Sequence, residues 1–194
     1  QSSAIQSHGP GFAFVTQFRQ NVGLIDWDYN FMYRIRFRNY SSFDLRLRRQ
    51  YYLLTSSVDP SGTGGLEILE GAEYANNMII ASYESDARKK IFFELRTRSG
   101  EYFNGTRLNL NGSIGFRYQP FGATSLDINY NNIKLPEPYN SANLFLIGPK
   151  FDFTFTDKLF WTTYVQYNSQ IENLNINSRL QWRFKPVSDI YLVY

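Results

Sequence analysis

The arginines are the strongest candidates for a chemical role in this chain, because of their charge and their regular spacing. In the segment FMYRIRFRNYSSFDLRLRR, residues 31–49, arginines recur at alternate positions on both sides of a short turn, at Arg34, Arg36, Arg38, Arg46, Arg48 and Arg49. A guanidinium stays charged at physiological pH and presents five N–H donors that match carboxylate and phosphate oxygens. Such a cluster can attract anions, as arginine rings do in anion-selective pores.

The sequence offers few other constellations that carry chemistry. His8 is the single histidine and there is no cysteine, so we propose neither a zinc cluster nor a Ser–His–Asp triad. The acidic residues of the segment DPSGTGGLEILEGAEY lack the spacing of a calcium-binding loop. We therefore predict no catalytic, cofactor-binding or metal-binding residue, no cofactor and no enzymatic activity, and we expect His8 to lie in a disordered N-terminal segment.

The elements that position the arginines follow from their alternation with apolar residues. Tyr33, Ile35 and Phe37 occupy the positions between the arginines that precede NYSS, and a period of two is the period of a β-strand. The alternation recurs almost to the end of the chain, and no helical period of useful length competes with it. The sequence predicts an all-β, antiparallel up-and-down arrangement of about eleven strands.

Composition favours a membrane β-barrel over a soluble core. Aromatic residues make up 18% of the chain, with 17 Phe and 15 Tyr, yet the hydrophobic content is only 43% and the mean hydropathy is −0.40. This combination is typical of transmembrane barrels, in which alternate residues meet lipid and aromatic girdles mark both interfaces. A net charge of +3 without a recognition motif gives no reason to expect a nucleic acid partner.

The connections support the same interpretation. Tight joins (NYSS, SDAR, PFGAT, TDK and KPVSD) alternate with longer ones (SSVDPSGTGGLEILEGAEYANN, SGEYFNGT, PEPYNSAN and NSQIENLN). Outer-membrane barrels have short periplasmic turns and longer extracellular loops. We therefore expect the long joins at one end of the strands and the tight turns at the other, periplasmic end.

A membrane barrel assigns the two faces of the strands to different surroundings. On the lipid face an arginine would cost about 2–4 kcal/mol near the midplane, so the arginines are expected to face the lumen. The predicted lumen-lining residues are Arg34, Arg36, Arg38, Arg46, Arg48, Arg96, Arg98, Arg117, Arg179 and Arg183. The predicted lipid-facing residues are Phe151, Phe153, Phe155, Trp161, Trp182 and Phe184.

Two further expectations follow from this topology. Arg36, Arg38, Arg46 and Arg48 should form a net-positive belt beside NYSS at the periplasmic mouth, with Asp44 as the nearest candidate partner in sequence. If KPVSD is periplasmic, the last segment runs outward, whereas bacterial single-chain barrels have an even strand number. We therefore expect residues 1–194 to be one incomplete barrel domain, the C-terminal portion of a larger barrel that lacks a final strand. Whether N-terminal strands are also missing stays open.

Three segments carry a resemblance to a known family. GEYFNG, NNIKLPEP and VQYNSQIENLNINSRLQWRFKPVSDIYLVY resemble the C-terminal part of an uncharacterised β-barrel domain of Bacteroidota outer-membrane proteins. That domain often follows a carbohydrate-binding family-9-like module. The resemblance covers residues 100–194 well and the first half loosely. It implies a bacterial outer-membrane location and a barrel architecture, and it supplies no catalytic residues.

Three functional hypotheses stay open at this point. The first is a structural or docking barrel in an envelope complex linked to glycan handling or secretion, with outer-membrane lipid, other envelope proteins or a periplasmic plug as partners. The second is an anion-leaning pore, and the third is a soluble lipocalin-like barrel that binds a ligand. Bilayer conductance separates the first from the second, and dependence on detergent separates both from the third.

Overall fold

The computed structural model describes residues 4–194, which form one antiparallel sheet of eleven strands and no helix. The strands are β1 (Ile5–Arg19), β2 (Gly23–Phe37), β3 (Ser42–Leu53), β4 (Glu73–Glu84), β5 (Ile91–Tyr102), β6 (Gly105–Arg117), β7 (Gly122–Lys134), β8 (Ala142–Thr154), β9 (Leu159–Asn168), β10 (Asn173–Lys185) and β11 (Ser188–Val193). They are arranged in the sheet in chain order. The all-β, up-and-down prediction and the strand number are confirmed.

The sheet is open within the part of the chain that the structure describes, because no pairing there joins β11 to β1. Among residues 4–194, none belongs to a helix of the length and apolarity that crossing a membrane requires.

The chain divides into two compact units. The first comprises Gln1–Glu84, Leu95–Leu110 and Tyr130–Asn143, and the second comprises Ser85–Glu94, Asn111–Asn129 and Leu144–Tyr194.

Alternation separates two sets of side chains in the first unit. Strand pairing aligns Asn30, Arg48 and Met78 in one row across β2, β3 and β4, and the adjacent row aligns Phe31, Leu47 and Ile79. Successive residues of a strand point to opposite faces of the sheet. We call the face that carries Asn30 and Arg48 the polar face and the face that carries Phe31 and Leu47 the apolar face.

The same separation recurs in the second unit. Pairing aligns Phe153, Trp161, Leu180 and Leu192 across β8, β9, β10 and β11. The neighbouring row aligns Asp152, Thr162, Arg179 and Val193. Here too one face is dominated by large apolar side chains and the other is mainly polar, as the period-two pattern predicts.

The apolar face is the exposed one. Phe31, Leu47 and Ile79 expose 51%, 47% and 51% of their surface. On the polar face Asn30 and Asn76 are buried, at 8% and 4% exposed. A protein dissolved in water normally shows the opposite distribution, with large apolar residues inside and asparagines outside.

The hairpin turns use residues other than glycine in the left-handed region. Asn21, Tyr40, Phe103, Glu172 and Val187 all have positive φ, and each lies in a tight connection between two strands. In NYSS the side chain of Asn39 accepts hydrogen bonds from the amide and the hydroxyl of Ser41, at 3.1 and 2.7 Å. An asparagine that bonds the backbone two residues on is a recognised turn former.

Two expectations about the connections need correction. Only residues 103–104 separate β5 from β6, and only residues 169–172 separate β9 from β10, so SGEYFNGT is mostly strand and NSQIENLN is half strand. The tight turns on Phe103 and Glu172 allow the strands to extend further than the sequence pattern suggested. Two long joins do lie together as expected, because Asn140 Nδ2 donates to Thr63 Oγ1 at 3.5 Å.

The N-terminal segment is also more ordered than predicted. Residues 5–19 form β1, which pairs with β2 along its length. His8 lies in β1 opposite Ile35, and its Nδ1 hydrogen-bonds the Tyr33 hydroxyl. The prediction of a disordered His8 is therefore wrong. Gly9, Pro10 and Gly11 interrupt the sequence pattern of this strand, but pairing with β2 compensates for their weak strand propensity.

Candidate functional site

The polar face of the first unit contains a cavity of about 250 Å³. Three guanidinium groups line it, from Arg48 on β3, Arg98 on β5 and Arg107 on β6. Aromatic and thioether side chains, among them Tyr102 and Met78, line it as well. The site therefore combines positive charge with apolar wall.

Arg48 is the neutralised member of the three. Its Nη2 and Nε donate to Asp28 Oδ2 at 2.6 and 2.9 Å, and both side chains are largely shielded, at 23% and 16% exposed. Asp28 also accepts from Asn30 Nδ2 at 2.7 Å. Charge-assisted bonds of this kind are among the stronger hydrogen bonds in proteins, so this pair fixes the β2–β3 side of the site.

Arg107 is held by a neutral partner and an aromatic ring. Its Nε donates to Asn131 Oδ1 at 2.8 Å, and its guanidinium carbon lies 5.0 Å from the centre of the Tyr102 ring. Asn131 is buried, at 9% exposed. These contacts orient the guanidinium without cancelling its charge. The ion pairs found within residues 4–194 do not include Arg107.

Arg98 is the least satisfied of the three arginines. Its Nε is buried and has no hydrogen-bond partner among the described residues. The guanidinium groups of Arg96, Arg107, Arg48 and Arg46 all repel it. An unpartnered buried donor and uncompensated positive charge both cost free energy, and both costs fall when an anion is bound beside them.

A network of aromatic residues closes one side of the cavity. The ring of Phe103 packs edge-on against those of Tyr52, Tyr74 and Tyr102, with centroids 5.5, 5.3 and 4.6 Å apart. The Tyr52 hydroxyl donates to Asn76 Oδ1 at 2.8 Å, and Asn76 Nδ2 donates to the Phe103 carbonyl at 3.1 Å. The buried Asn76 thus ties β3 and β4 to the turn after β5.

Gly100 permits the close approach of β4 and β5 at this site. A Cβ atom at this position would lie 2.3 Å from the Asn77 carbonyl oxygen and 2.6 Å from Met78 Cα. Nearby, the Glu101 carboxylate accepts from the amide and side-chain nitrogens of Asn77, at 2.6 and 2.9 Å. Glu101 also lines the cavity, but its carboxylate is bonded to Asn77 and forms no ion pair with the three arginines within residues 4–194.

Asp59 organises the long connection between β3 and β4. Its carboxylate accepts from the Ser61 amide and hydroxyl and from the amides of Thr63, Gly64 and Gly65, at 2.7–2.9 Å. These bonds, with the Ser61 hydroxyl contributing most, hold the pKa of Asp59 well below its usual range. The carboxylate oxygens are occupied by five donors, so Asp59 has a structural role that its sequence position did not reveal.

The predicted lumen-lining arginines share the polar face wherever pairing defines it in β2, β3 and β10. Nine of the ten lie in strands, and Arg38 lies in the turn after β2. Only two of the ten, Arg48 and Arg98, line the cavity. Asp44, the nearest candidate partner in sequence of the group beside NYSS, lies opposite Arg34, another of the ten arginines, and pairs with it at 2.5 Å. Whether these side chains line a lumen stays a prediction.

The predicted lipid-facing residues share the apolar face where pairing defines it. Phe151, Phe153, Trp161 and Trp182 belong to that set, and Trp182, Phe155 and Phe184 are exposed. The Phe153 ring stacks on Trp161 with centroids 5.4 Å apart and on Phe155 at 6.1 Å. Their contact with lipid stays a prediction.

Sequence reasoning missed Arg107, Tyr102 and Asn131 as members of one site. No local signal in the sequence brings Arg107 to Arg98 and Arg48. No protein family model, curated protein or solved structure matches the chain.

Proposed function

We propose that the chain is an integral outer-membrane β-barrel domain with a structural or docking role in an envelope complex. The observation that carries the proposal is the exposure of the apolar face, with Phe31, Leu47 and Ile79 about half exposed beside a buried Asn30. In a bilayer these side chains would be solvated by lipid, and the polar groups would be kept away from lipid on the other face.

Strand length supports the same proposal. The strands β1 to β10 are 10 to 15 residues long, and a tilted strand needs about 9–11 residues to cross the hydrocarbon core. Strands of globular proteins are more often about 5–6 residues long. A soluble lipocalin-like barrel could have strands of this length, but it would keep its large apolar side chains inside, so we favour the membrane barrel.

The docking role rests on the long connection of residues 54–72. Five hydrogen bonds to Asp59 and the bridge between Val58 and Ile68 give this loop a defined shape. Leu66 and Leu69 nevertheless expose 52% and 72% of their surface. Exposed leucines on an ordered loop offer a partner an apolar contact with little loss of backbone entropy.

Tryptophan fluorescence in lipid vesicles tests the membrane proposal. In a Trp27→Phe, Trp161→Phe background the single Trp182 should be strongly quenched by lipids brominated on their acyl chains. The matched control moves the indole by one residue, with Trp182→Phe and Gln181→Trp in the same background, and should be quenched much less because residue 181 belongs to the opposite face. Equal quenching of the two proteins would contradict the proposal.

An anion-leaning pore is the second candidate, and the unneutralised guanidinium groups of Arg98 and Arg107 favour it. In planar bilayers a pore of this kind would give a reversal potential that reports anion preference in a salt gradient. Replacement of Arg36, Arg38, Arg46 and Arg48 by Gln should reduce this preference if the lumen is open. If a plug fills the lumen, the same changes should loosen the plug and raise conductance. Unchanged conductance and selectivity would remove the pore as a candidate.

A further inference from the structure

We propose that the cavity between β3, β4, β5 and β6 binds a small ligand that carries an oxyanion, such as a phosphate or carboxylate, on an apolar ring. This inference concerns a ligand site and holds whether the domain acts as a docking barrel or as a pore. It is carried by three observations in the first unit: the guanidinium cluster, the unsatisfied Arg98 Nε, and the aromatic wall on the same cavity.

The charge balance of the cavity selects an anion. Asp28 neutralises Arg48, and the Glu101 carboxylate is bonded to Asn77. Neither carboxylate accepts a hydrogen bond from Arg98 or Arg107 in the described structure. Two guanidinium groups that repel each other across a shared cavity are stabilised together by one bridging oxyanion, because each then gains a charge-assisted hydrogen bond.

The hydrogen-bond balance gives the same result. Arg98 Nε is a buried donor that has no acceptor among residues 4–194, and buried donors in native proteins nearly always have one. A phosphate or carboxylate oxygen is an acceptor that the planar guanidinium fork fits in two-point geometry. Arg107 Nε is already bonded to Asn131, which leaves its terminal nitrogens for the ligand.

The walls and the volume define the rest of the ligand. Met78, Tyr52, Tyr102 and Phe103 line the same cavity as the arginines, and they offer an apolar surface on which a ring can pack. A volume of about 250 Å³ falls below the usual range for drug-sized ligands, about 300–1,000 Å³. The ligand is therefore a single ring with one anionic substituent, and an inorganic ion alone would leave the apolar wall uncovered.

Calorimetry on the detergent-solubilised protein tests the site with three probes: phenyl phosphate, inorganic phosphate and phenol. Phenyl phosphate should bind at least about tenfold more tightly than either of its halves, because only it meets both the charged and the apolar wall. Phosphate that binds as tightly as phenyl phosphate would overturn the ring portion of the proposal. Absence of phenyl phosphate binding would overturn the site.

Variants connect the binding to the arginines. Arg98→Gln and Arg107→Gln should each weaken phenyl phosphate binding by about tenfold or more, and Arg107→Lys should weaken it less than Arg107→Gln. The control is Arg36→Gln, a polar-face arginine on β2 that does not line the cavity. Far-UV circular dichroism checks that each variant is folded.

Equal loss of binding in Arg36→Gln and Arg98→Gln would mean that net charge alone attracts the probe, and would contradict the proposal. Because the assay uses micelles and no bilayer, its failure leaves the membrane proposal intact. Failure of the tryptophan quenching experiment likewise leaves the ligand site intact.

Discussion

The polar faces of the two units both carry basic side chains, but the positive charge is neutralised to a different extent in each. In the first unit Arg48 and Asp28 form a shielded pair, while Arg98 and Arg107, which line the same cavity as Arg48, are in no ion pair among the described residues. In the second unit Arg183 pairs with Asp189 at 3.2 Å, and Lys150 pairs with Asp152 at 2.9 Å. These second-unit basic groups are 46% and 44% exposed.

Alternation alone therefore does not decide whether a row of basic residues is paired with carboxylates. Both units repeat the same period-two pattern, but strand register decides which side chains face each other. Register places Asp189 directly opposite Arg183, where an exposed ion pair results. Among the described residues, Arg98 and Arg107 form no ion pair with a carboxylate, and the outcome is a charged cavity.

Gly100→Ala should be the most damaging of the small substitutions. The new methyl group would lie 2.3 Å from a backbone oxygen of β4, and backbone cannot move without disturbing strand pairing, so we expect a loss of about 3 kcal/mol in the free energy of unfolding. Gly148→Ala in the second unit is the matched control. Its methyl group would meet the end of the Tyr164 side chain at 2.6 Å, which can rotate away.

Urea unfolding of the detergent-solubilised variants measures both effects, and the Gly148→Ala midpoint should move by less than half as much as the Gly100→Ala midpoint. Equal shifts would show that β4 and β5 are no more tightly constrained around the cavity than β8 and β9 are around Tyr164.

Replacement of the Asp28 carboxylate should lower the free energy of unfolding more than replacement of the Asp189 carboxylate. Asp28→Asn leaves the shielded Arg48 without its carboxylate, for an expected loss of about 2 kcal/mol. Asp189→Asn removes an exposed pair, for which about 0.5 kcal/mol is typical. The same urea unfolding experiment reports both values, and a larger effect of Asp189→Asn would reverse the comparison between the two polar faces.

Acid should open the loop of residues 54–72 through Asp59. Hydrogen bonding lowers the pKa of this carboxyl in the folded protein. The stability that the ionised carboxylate gives the loop is therefore fully present above the unfolded-state pKa of about 3.9, and it is lost as the pH falls toward the folded-state pKa. Hydrogen exchange at the amides of Thr63, Gly64 and Gly65 should therefore accelerate below about pH 4 relative to the intrinsic rate.

Asp59→Asn should remove most of that pH dependence, because an amide cannot accept all five bonds. The comparison in the second unit is Asp86, whose pKa is lowered to about 2 by hydrogen bonds from the side chain and the amide of Arg88. This turn is held by one neighbouring residue, so Asp86→Asn should change local exchange less. An Asp59→Asn protein with unchanged acid sensitivity would contradict the role assigned to the loop carboxylate.

The sequence predicted the fold better than the site for a physical reason. Alternation reports local side-chain direction, so it was sufficient for the all-β class, the strand number and the membership of Phe153 and Trp161 in one apolar set. The pairing of Arg48 with Asp28 spans twenty residues and depends on the length of the NYSS turn. The ordered strand around His8 was not expected because Gly9 and Gly11 carry no side chain with which to show alternation.

The ordered loop escaped prediction for a related reason. Asp59 accepts hydrogen bonds mostly from backbone amides. Because nearly every residue has such an amide, the residue types do not show which ones will donate. Arg107 and Asn131 contact each other across β6 and β7, and nothing in either residue type predicts this contact. The cavity therefore became visible only when register placed β3, β5 and β6 side chains together.

The most direct measurement of the central claim uses the absence of cysteine from the chain. Single cysteines at Leu47 and Trp182 on the apolar face, and at Arg46 and Gln181 on the polar face, would be exposed to a water-soluble maleimide in lipid vesicles. Thiols react as thiolates in water, so Arg46→Cys and Gln181→Cys should label about tenfold faster or more, since lipid restricts ionisation and access. Labelling of Leu47→Cys and Trp182→Cys at equal or greater rates would contradict the assignment of the apolar face to lipid.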